Sequence, residues 1–264
     1  MHFSQQEEER LIGAIMDSPS LDESQELGLF KVWLLISQLL GVVCIALVSA
    51  WCGKYLGGFA WQEDPKHQFN HHPFFMVLGL VFCYGNALLV YRVFRNQRKR
   101  SLKLLHFGLH SVALVFCIVA LKAVFDSHNL AQPNPTPNLY SLHSWLGLTA
   151  VILFALQYVC GFVAFLFPGL TKLWRTKYLP LHVFFGLAIF VMVVAAALMG
   201  ITEKLAFPGD YYKSPPTAVL GNLLGVCLIA FGLMIVYLVA NPTYRRRMLP
   251  EEVQLQLEQS GSTN

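Results

Sequence analysis

Four of the nine histidines, His72, His106, His143 and His182, stand at or just inside the start of successive apolar runs. Neutral imidazole is the commonest protein ligand for a metal. An ionisable side chain within an apolar span is costly and is by default functional. The six cysteines, at 44, 52, 83, 117, 160 and 227, show no CxxC spacing and lie mostly in apolar sequence. They read as small core residues, with neither a thiolate metal site nor a disulfide frame. Metal chemistry in this chain therefore rests on imidazole.

The elements that must position these histidines follow from hydropathy. Apolar residues make up 55% of the chain and charged residues 13%, with a mean hydropathy of +0.52. A soluble chain carries nearer a quarter of its residues as charges. Unbroken apolar blocks cover 30–51, 73–94, 104–125, 141–167, 179–200 and 218–240. Each approaches the ~20 residues that a helix needs to cross hydrocarbon. Unbroken runs exclude the alternating pattern of a barrel, and only helices or barrels satisfy their backbone in lipid. The fold class is all-α: a six-transmembrane-helix bundle over 29–240, between a polar leader (1–28) and a polar tail (241–264). Leader and tail are expected to be mobile.

Charge sets the orientation. Six spans leave both termini on one face, together with Arg92, Arg95, Arg98, Lys99, Arg100, Lys103, Lys172, Arg175, Lys177 and Arg245–Arg247. The opposite face holds only Lys54, Lys66, Lys122, Lys204 and Lys213. By the positive-inside rule the basic face is cytosolic. Basic runs beside helix ends are topology signals, so the +4 net charge does not point to nucleic acid. No apolar stretch at the extreme N-terminus has the form of a cleaved signal peptide. Glu7-Glu8-Glu9-Arg10-Leu11-Ile12 has the acidic-dileucine form that sorts proteins to endosomes or lysosomes.

Parity then pairs the histidines. The second and fourth spans run inward, so His72 and His143 share an outer depth. The third and fifth run outward, so His106 and His182 share an inner depth. His72 and His143 are separated by 71 positions in the chain, and His106 and His182 by 76. A two-helix unit thus occurs twice and supplies one histidine to each face per copy. This implies a central four-helix core, with the first and sixth spans outside it. Two imidazole pairs stacked across a bilayer suit two haems, each with both axial positions filled, which favours electron transfer over oxygen chemistry. No CxxCH is present, so such haems would be bound non-covalently.

The segment Ala87 to Arg95 (ALLVYRVFR) and the segment Ser141 to Trp145 (SLHSW) resemble the two signatures of the cytochrome b561 family of ascorbate-dependent transmembrane reductases. Phe69–Pro73, Lys103–His106, Pro180–His182 and Thr202–Leu205 resemble further family positions, from about residue 30 to 247. The likeness is to the chromaffin-granule branch in particular. It implies two haems b per chain, the outer on His72 and His143 and the inner on His106 and His182, in agreement with the parity argument. It also implies that Arg92, Lys99, Lys103 and Arg175 surround the inner haem edge and cytosolic ascorbate, with Arg245 in the tail. Ascorbate and haem propionates are anions, which Arg and Lys bind by charge-assisted hydrogen bonds. Arg98, Arg100 and Lys177 read equally well as topology signals.

On the outer side the resemblance sets Asn138, Tyr140 and Ser141 against the outer haem and matches Glu203 to an acidic family position. His128 falls where iron-reducing relatives present a histidine to metal, and it reads equally as a solvated loop residue. His71 adjoins His72, but His72 directly precedes proline as the family pair does. His110, one turn after His106, reads as a hydrogen-bonding neighbour. The implied function is transfer of single electrons from cytosolic ascorbate to monodehydroascorbate radical or ferric iron, in a homodimer. The membrane is that of a secretory vesicle, an endosome or lysosome, or the cell surface. Two other classes stay open: a haem b anchor subunit that exchanges electrons with quinone or a partner enzyme, and a haem-free metal transporter. The transporter lacks acidic partners at membrane depth. The long leader and the Pro-Asn-Pro-Thr-Pro stretch at 133–137 depart from the commoner family pattern.

Overall fold

The computed structural model describes residues 29–254. The acidic-dileucine segment and the rest of the leader lie outside the described residues. Six helices are long and apolar enough to span a membrane: α1 (Phe30–Tyr55), α2 (Pro65–Val93), α3 (Lys99–Asn129), α4 (Leu142–Phe165), α5 (Lys172–Ala206) and α6 (Pro216–Ala240). No strand occurs among the described residues. The helices α1, α2, α3 and α5 outrun their apolar blocks by several residues, α3 and α5 at either end. Hydropathy registers only the hydrocarbon layer, whereas helix continues into both interfaces under Lys and Arg side chains that reach outward. His106 and His182 consequently lie farther inside their helices than the hydropathy boundaries suggest.

Packing follows the repeat. α2 packs on α3 and α4 on α5, while α1 and α6 pack together and α6 also touches α2 and α5. Lipid tails are as apolar as leucine, so close fit rather than hydrophobic transfer drives such contacts. On α6 the buried face alternates small and large residues: Ala218, Gly221 and Gly225 with Leu224, Leu228, Phe231 and Ile235. Opposite faces stay open, as at Leu142, Phe184 and Val226, where a bilayer would cover them.

Helix starts near the histidines are built by local chemistry. The Asp64 side chain accepts from the His67 amide and pairs with His67 Nδ1 at 2.5 Å, opening α2 at Pro65. That imidazole bond holds the Asp64 carboxyl below its ordinary value. Within α2 a wide π-helical stretch, Val77–Cys83, follows His72 by one turn. Such stretches cluster at functional positions in helices. Ser141 and Ser144 form a reciprocal capping box that starts α4 two residues before His143.

The tail departs from expectation. Over 241–254 it folds back on the basic face instead of trailing from it. Tyr244 packs edge-on against Phe30 with centroids 5.0 Å apart, and Val253 is buried. The Arg246 guanidinium donates to Glu252 at 2.8 and 2.9 Å and to the Gln97 carbonyl at 3.0 Å. Burial opposes ionisation of Glu252, but the Arg246 guanidinium together with the Leu249 and Lys99 amides outweighs it and holds the carboxyl below its ordinary value. Glu252 also accepts from the Lys99 amide at 3.3 Å, which ties the tail to the start of α3. A bidentate Arg–carboxylate pair holds geometry that a polar composition alone does not announce.

Candidate functional site

Two histidine pairs face one another at two depths. The His72 and His143 ring centres are 6.1 Å apart, with planes at 81°. Those of His106 and His182 are 6.3 Å apart, at 67°. Two imidazole nitrogens each roughly 2 Å from a shared metal put the ring centres roughly 6 Å apart. Both separations fit one iron between each pair.

Backbone carbonyls of neighbouring helices orient the rings. His72 Nδ1 meets the Ala120 carbonyl on α3 at 3.2 Å, and His143 Nδ1 meets that of Ala196 on α5 at 2.8 Å. His106 Nδ1 meets the Ala87 carbonyl on α2 at 2.8 Å. An Nδ1–H donated to a carbonyl fixes the tautomer and leaves Nε2 with its lone pair for a metal. His182 Nδ1 is buried with no hydrogen-bond partner. Its backbone carbonyl accepts from Gln157 Nε2 at 2.6 Å.

Glycine makes room for one ring of each pair. A Cβ on Gly200 would stand 2.6 Å from His143 Cε1, and one on Gly161 would stand 2.9 Å from His182 Cε1. Both positions belong to the partner helix of the α4–α5 unit, and the sequence carries no local signal for them. Gly200→Ala is expected to push the His143 ring aside and to lose the outer haem while the inner one stays. Haem absorbance per chain should fall by about half, and a Gly200→Ala chain with full haem content would remove the steric argument.

Around the outer pair lies a cavity that opens at its mouth. Besides His72 and His143, its lining includes His128, Asn138, Tyr140, Ser141 and Glu203, so the structure brings together every outer position singled out in the sequence. Asn138 bridges His128 Nδ1 (3.1 Å) and Asn129 (2.8 Å), which pins the proline-rich loop over the mouth. Burial, and then the nearby Glu203 carboxylate, push the Tyr140 phenol upward. His71 is turned away: its ring stacks on Trp61 at 4.5 Å and 10°. The histidine that meets His143 is thus His72.

The inner pair sits among aromatic rings. Phe165 and Tyr178 flank His182 at 5.1 and 5.9 Å, and Tyr91 flanks His106 at 5.7 Å. His110 lies 4.5 Å from His106, edge-on at 81°, with its Nδ1 buried and without a hydrogen-bond partner. Between the two pairs Tyr84 is fully buried against Phe154 and Phe190 and donates its hydroxyl to the Gly186 carbonyl at 2.8 Å.

Beside the inner pair a second cleft opens on the basic face. It is lined by Lys99, Arg100, Lys103, Phe165 and Arg175 together with the turn at Pro168–Leu170. Lys103 Nζ donates to the Phe165 carbonyl at 2.8 Å, so the cleft reaches the same residue that flanks His182. Arg100, which reads equally as a topology signal in sequence, is part of this lining. Lys177 is not, and rests over Trp174 at 5.6 Å. Arg92 and Arg245 do not line it either. Arg92 donates to the Val239 carbonyl at the end of α6, and Arg245 stands near it.

The sequence is similar to those of known proteins. The eukaryotic cytochrome b561 family profile matches residues 71–208. A human transmembrane ascorbate-dependent reductase is 46% identical over 224 residues, 84% of this chain and 87% of its own. A putative transmembrane ascorbate-dependent reductase of Caenorhabditis elegans is 44% identical over 241 residues, 88% of this chain and 91% of its own. A plasma membrane ascorbate-dependent reductase of Xenopus tropicalis is 43% identical over 222 residues, 82% of this chain and 77% of its own.

Proposed function

This chain belongs to the eukaryotic cytochrome b561 family, and from that premise we propose that it is a transmembrane ascorbate-dependent reductase with two haems b. His72 and His143 hold the outer haem and His106 and His182 the inner one. The observation that carries the reading is the pair of facing imidazoles at each of two depths, with a cationic cleft beside the inner pair. Held by these four histidines, the haems would supply one-electron redox chemistry, and two imidazoles per iron would leave no position open to other ligands. Lys103 and Arg175, aided by Lys99 and Arg100, hold the ascorbate anion in the cleft. The wall of Tyr84, Phe154 and Phe190 keeps water from the space between the pairs.

The remaining assignments belong to the same reading. Arg92, Lys99, Arg175 and Arg245 neutralise the inner haem's carboxylates. Asn138, Tyr140, Ser141 and Glu203 line the outer haem. His128 and Tyr140 meet the acceptor, monodehydroascorbate radical or ferric iron, at the cavity mouth. The basic face is cytosolic and carries both termini, the unit is 29–240, and the chain works as a homodimer in a secretory-vesicle, endosomal, lysosomal or plasma membrane.

Purified protein should show two haems b per chain in a pyridine haemochrome assay and a reduced-minus-oxidised spectrum of six-coordinate haem. One haem or none per chain would sink the pairing. In sealed vesicles, ascorbate on the basic side should reduce the haems faster than ascorbate on the opposite side at equal concentration and pH. Equal rates from the two faces would remove the cleft as a donor site.

A further inference from the structure

The outer cavity contains one cation to which nothing above gives a role. Lys204, near the outer end of α5, lines it together with His72 and His143. Of the lining residues, Lys204 is the sole lysine or arginine and Glu203 the sole carboxylate. Lys204 Nζ stands 4.1 Å over the Phe69 ring and 5.9 Å over that of Phe207. Among the described residues no carboxylate lies within ion-pair distance of it, not even that of its chain neighbour Glu203. Phe69 in turn lies tilted 6.1 Å from His72 and stacked 6.4 Å from His128, so one ring separates the cation from the outer ligand.

A half-buried ammonium held mainly by aromatic faces is weakly satisfied, because a carboxylate partner binds it more strongly than a ring does. A haem b carries two propionate groups, and each needs donors or positive charge where it leaves the apolar cavity. The inner face is rich in arginine and lysine. As positive charge from lysine or arginine the outer cavity offers Lys204 alone, beside a glutamate that acts the other way. We propose that Lys204 is the cationic partner of the outer haem's carboxylates and that its charge raises that haem's reduction potential. The proposal rests on the two-haem reading above. The sign follows from charge: reduction lowers the net charge at the iron by one, so a nearby cation favours the reduced form. Removal of the cation therefore disfavours passage of the electron from the inner to the outer haem.

The test is a redox titration of the purified holoprotein, followed by absorption and by the low-spin EPR signals of the two haems. Lys204→Gln should keep two haems and shift electron sharing away from the outer haem by about fivefold, or ~40 mV at 59 mV per tenfold. The inner potential should not move, and Lys204→Arg should stay near wild type. Lys66, an exposed lysine whose charge is felt at Lys204, is the control. Equal shifts in Lys66→Gln and Lys204→Gln would mean general surface charge and overturn the assignment. So would unchanged potentials in Lys204→Gln. If Lys204→Gln loses the outer haem, retention in Lys204→Arg supports the charge partnership, whereas loss in both reduces Lys204 to packing and overturns it. A wild-type protein with fewer than two haems would instead overturn the underlying two-haem reading.

Discussion

Replacing His106 or His182 with alanine is expected to remove the inner haem, leave the outer haem in place and abolish fast reduction by ascorbate. The two rings face one another at 6.3 Å, so loss of either leaves the iron with one protein ligand. A single imidazole in a cavity shaped for two does not keep a non-covalent haem six-coordinate. His72→Ala or His143→Ala should do the converse: ascorbate still reduces the inner haem, and the electron then has no outer site to reach. Haem content and EPR signals distinguish the cases, since each variant should lack one signal and keep the other. Loss of signals across the pairs, as from His72 with His106, would break the pairing by depth.

Lys103→Ala and Arg175→Ala are expected to keep both haems yet raise the ascorbate concentration for half-maximal fast reduction by about one to two decades. A charge-assisted hydrogen bond contributes roughly 1.5–3 kcal/mol, and ~1.4 kcal/mol is tenfold in affinity. Both residues line the cleft beside Phe165, and Lys103 is one turn beyond Lys99 on the same face of α3. Arg98→Ala and Lys177→Ala serve as controls because neither lines the cleft. Arg100→Ala should weaken donation, because Arg100 joins the lining. Stopped-flow reduction at fixed pH and salt decides between a site and a field. A uniform loss across all the variants would mean screened surface charge, and unchanged kinetics in Lys103→Ala and Arg175→Ala would move the donor site elsewhere.

Much of the candidate site was legible before any coordinates. Span direction alternates, so a histidine's place along its run sets its depth, and depth alone pairs His72 with His143 and His106 with His182. Lys103 and Arg175 came from the resemblance to the cytochrome b561 family, and they stand shortly before the inner histidines on helices that enter from the same face. Gly161 and Gly200 were not, since their role is a contact across helices more than ten residues distant in the chain. Arg100 was not either, because a basic residue next to a helix end serves topology equally well.

The sequence by itself determined the class of the protein: length and polarity of the apolar runs dictate six helices, and their alternating direction dictates two depths of imidazole. What only the tertiary structure decided is rotation about each helix axis. Depth is a one-dimensional property that hydropathy encodes, whereas the azimuth of a side chain depends on which neighbouring surfaces fit. That rotation turns His72 toward His143 and leaves His71 stacked on Trp61. It gathers Lys99, Arg100, Lys103 and Arg175 into one cleft and leaves Arg92 against the end of α6. It also brings the polar tail back onto the basic face through Arg246 and Glu252, because a bidentate ion pair forms only where chain folding brings its two halves together.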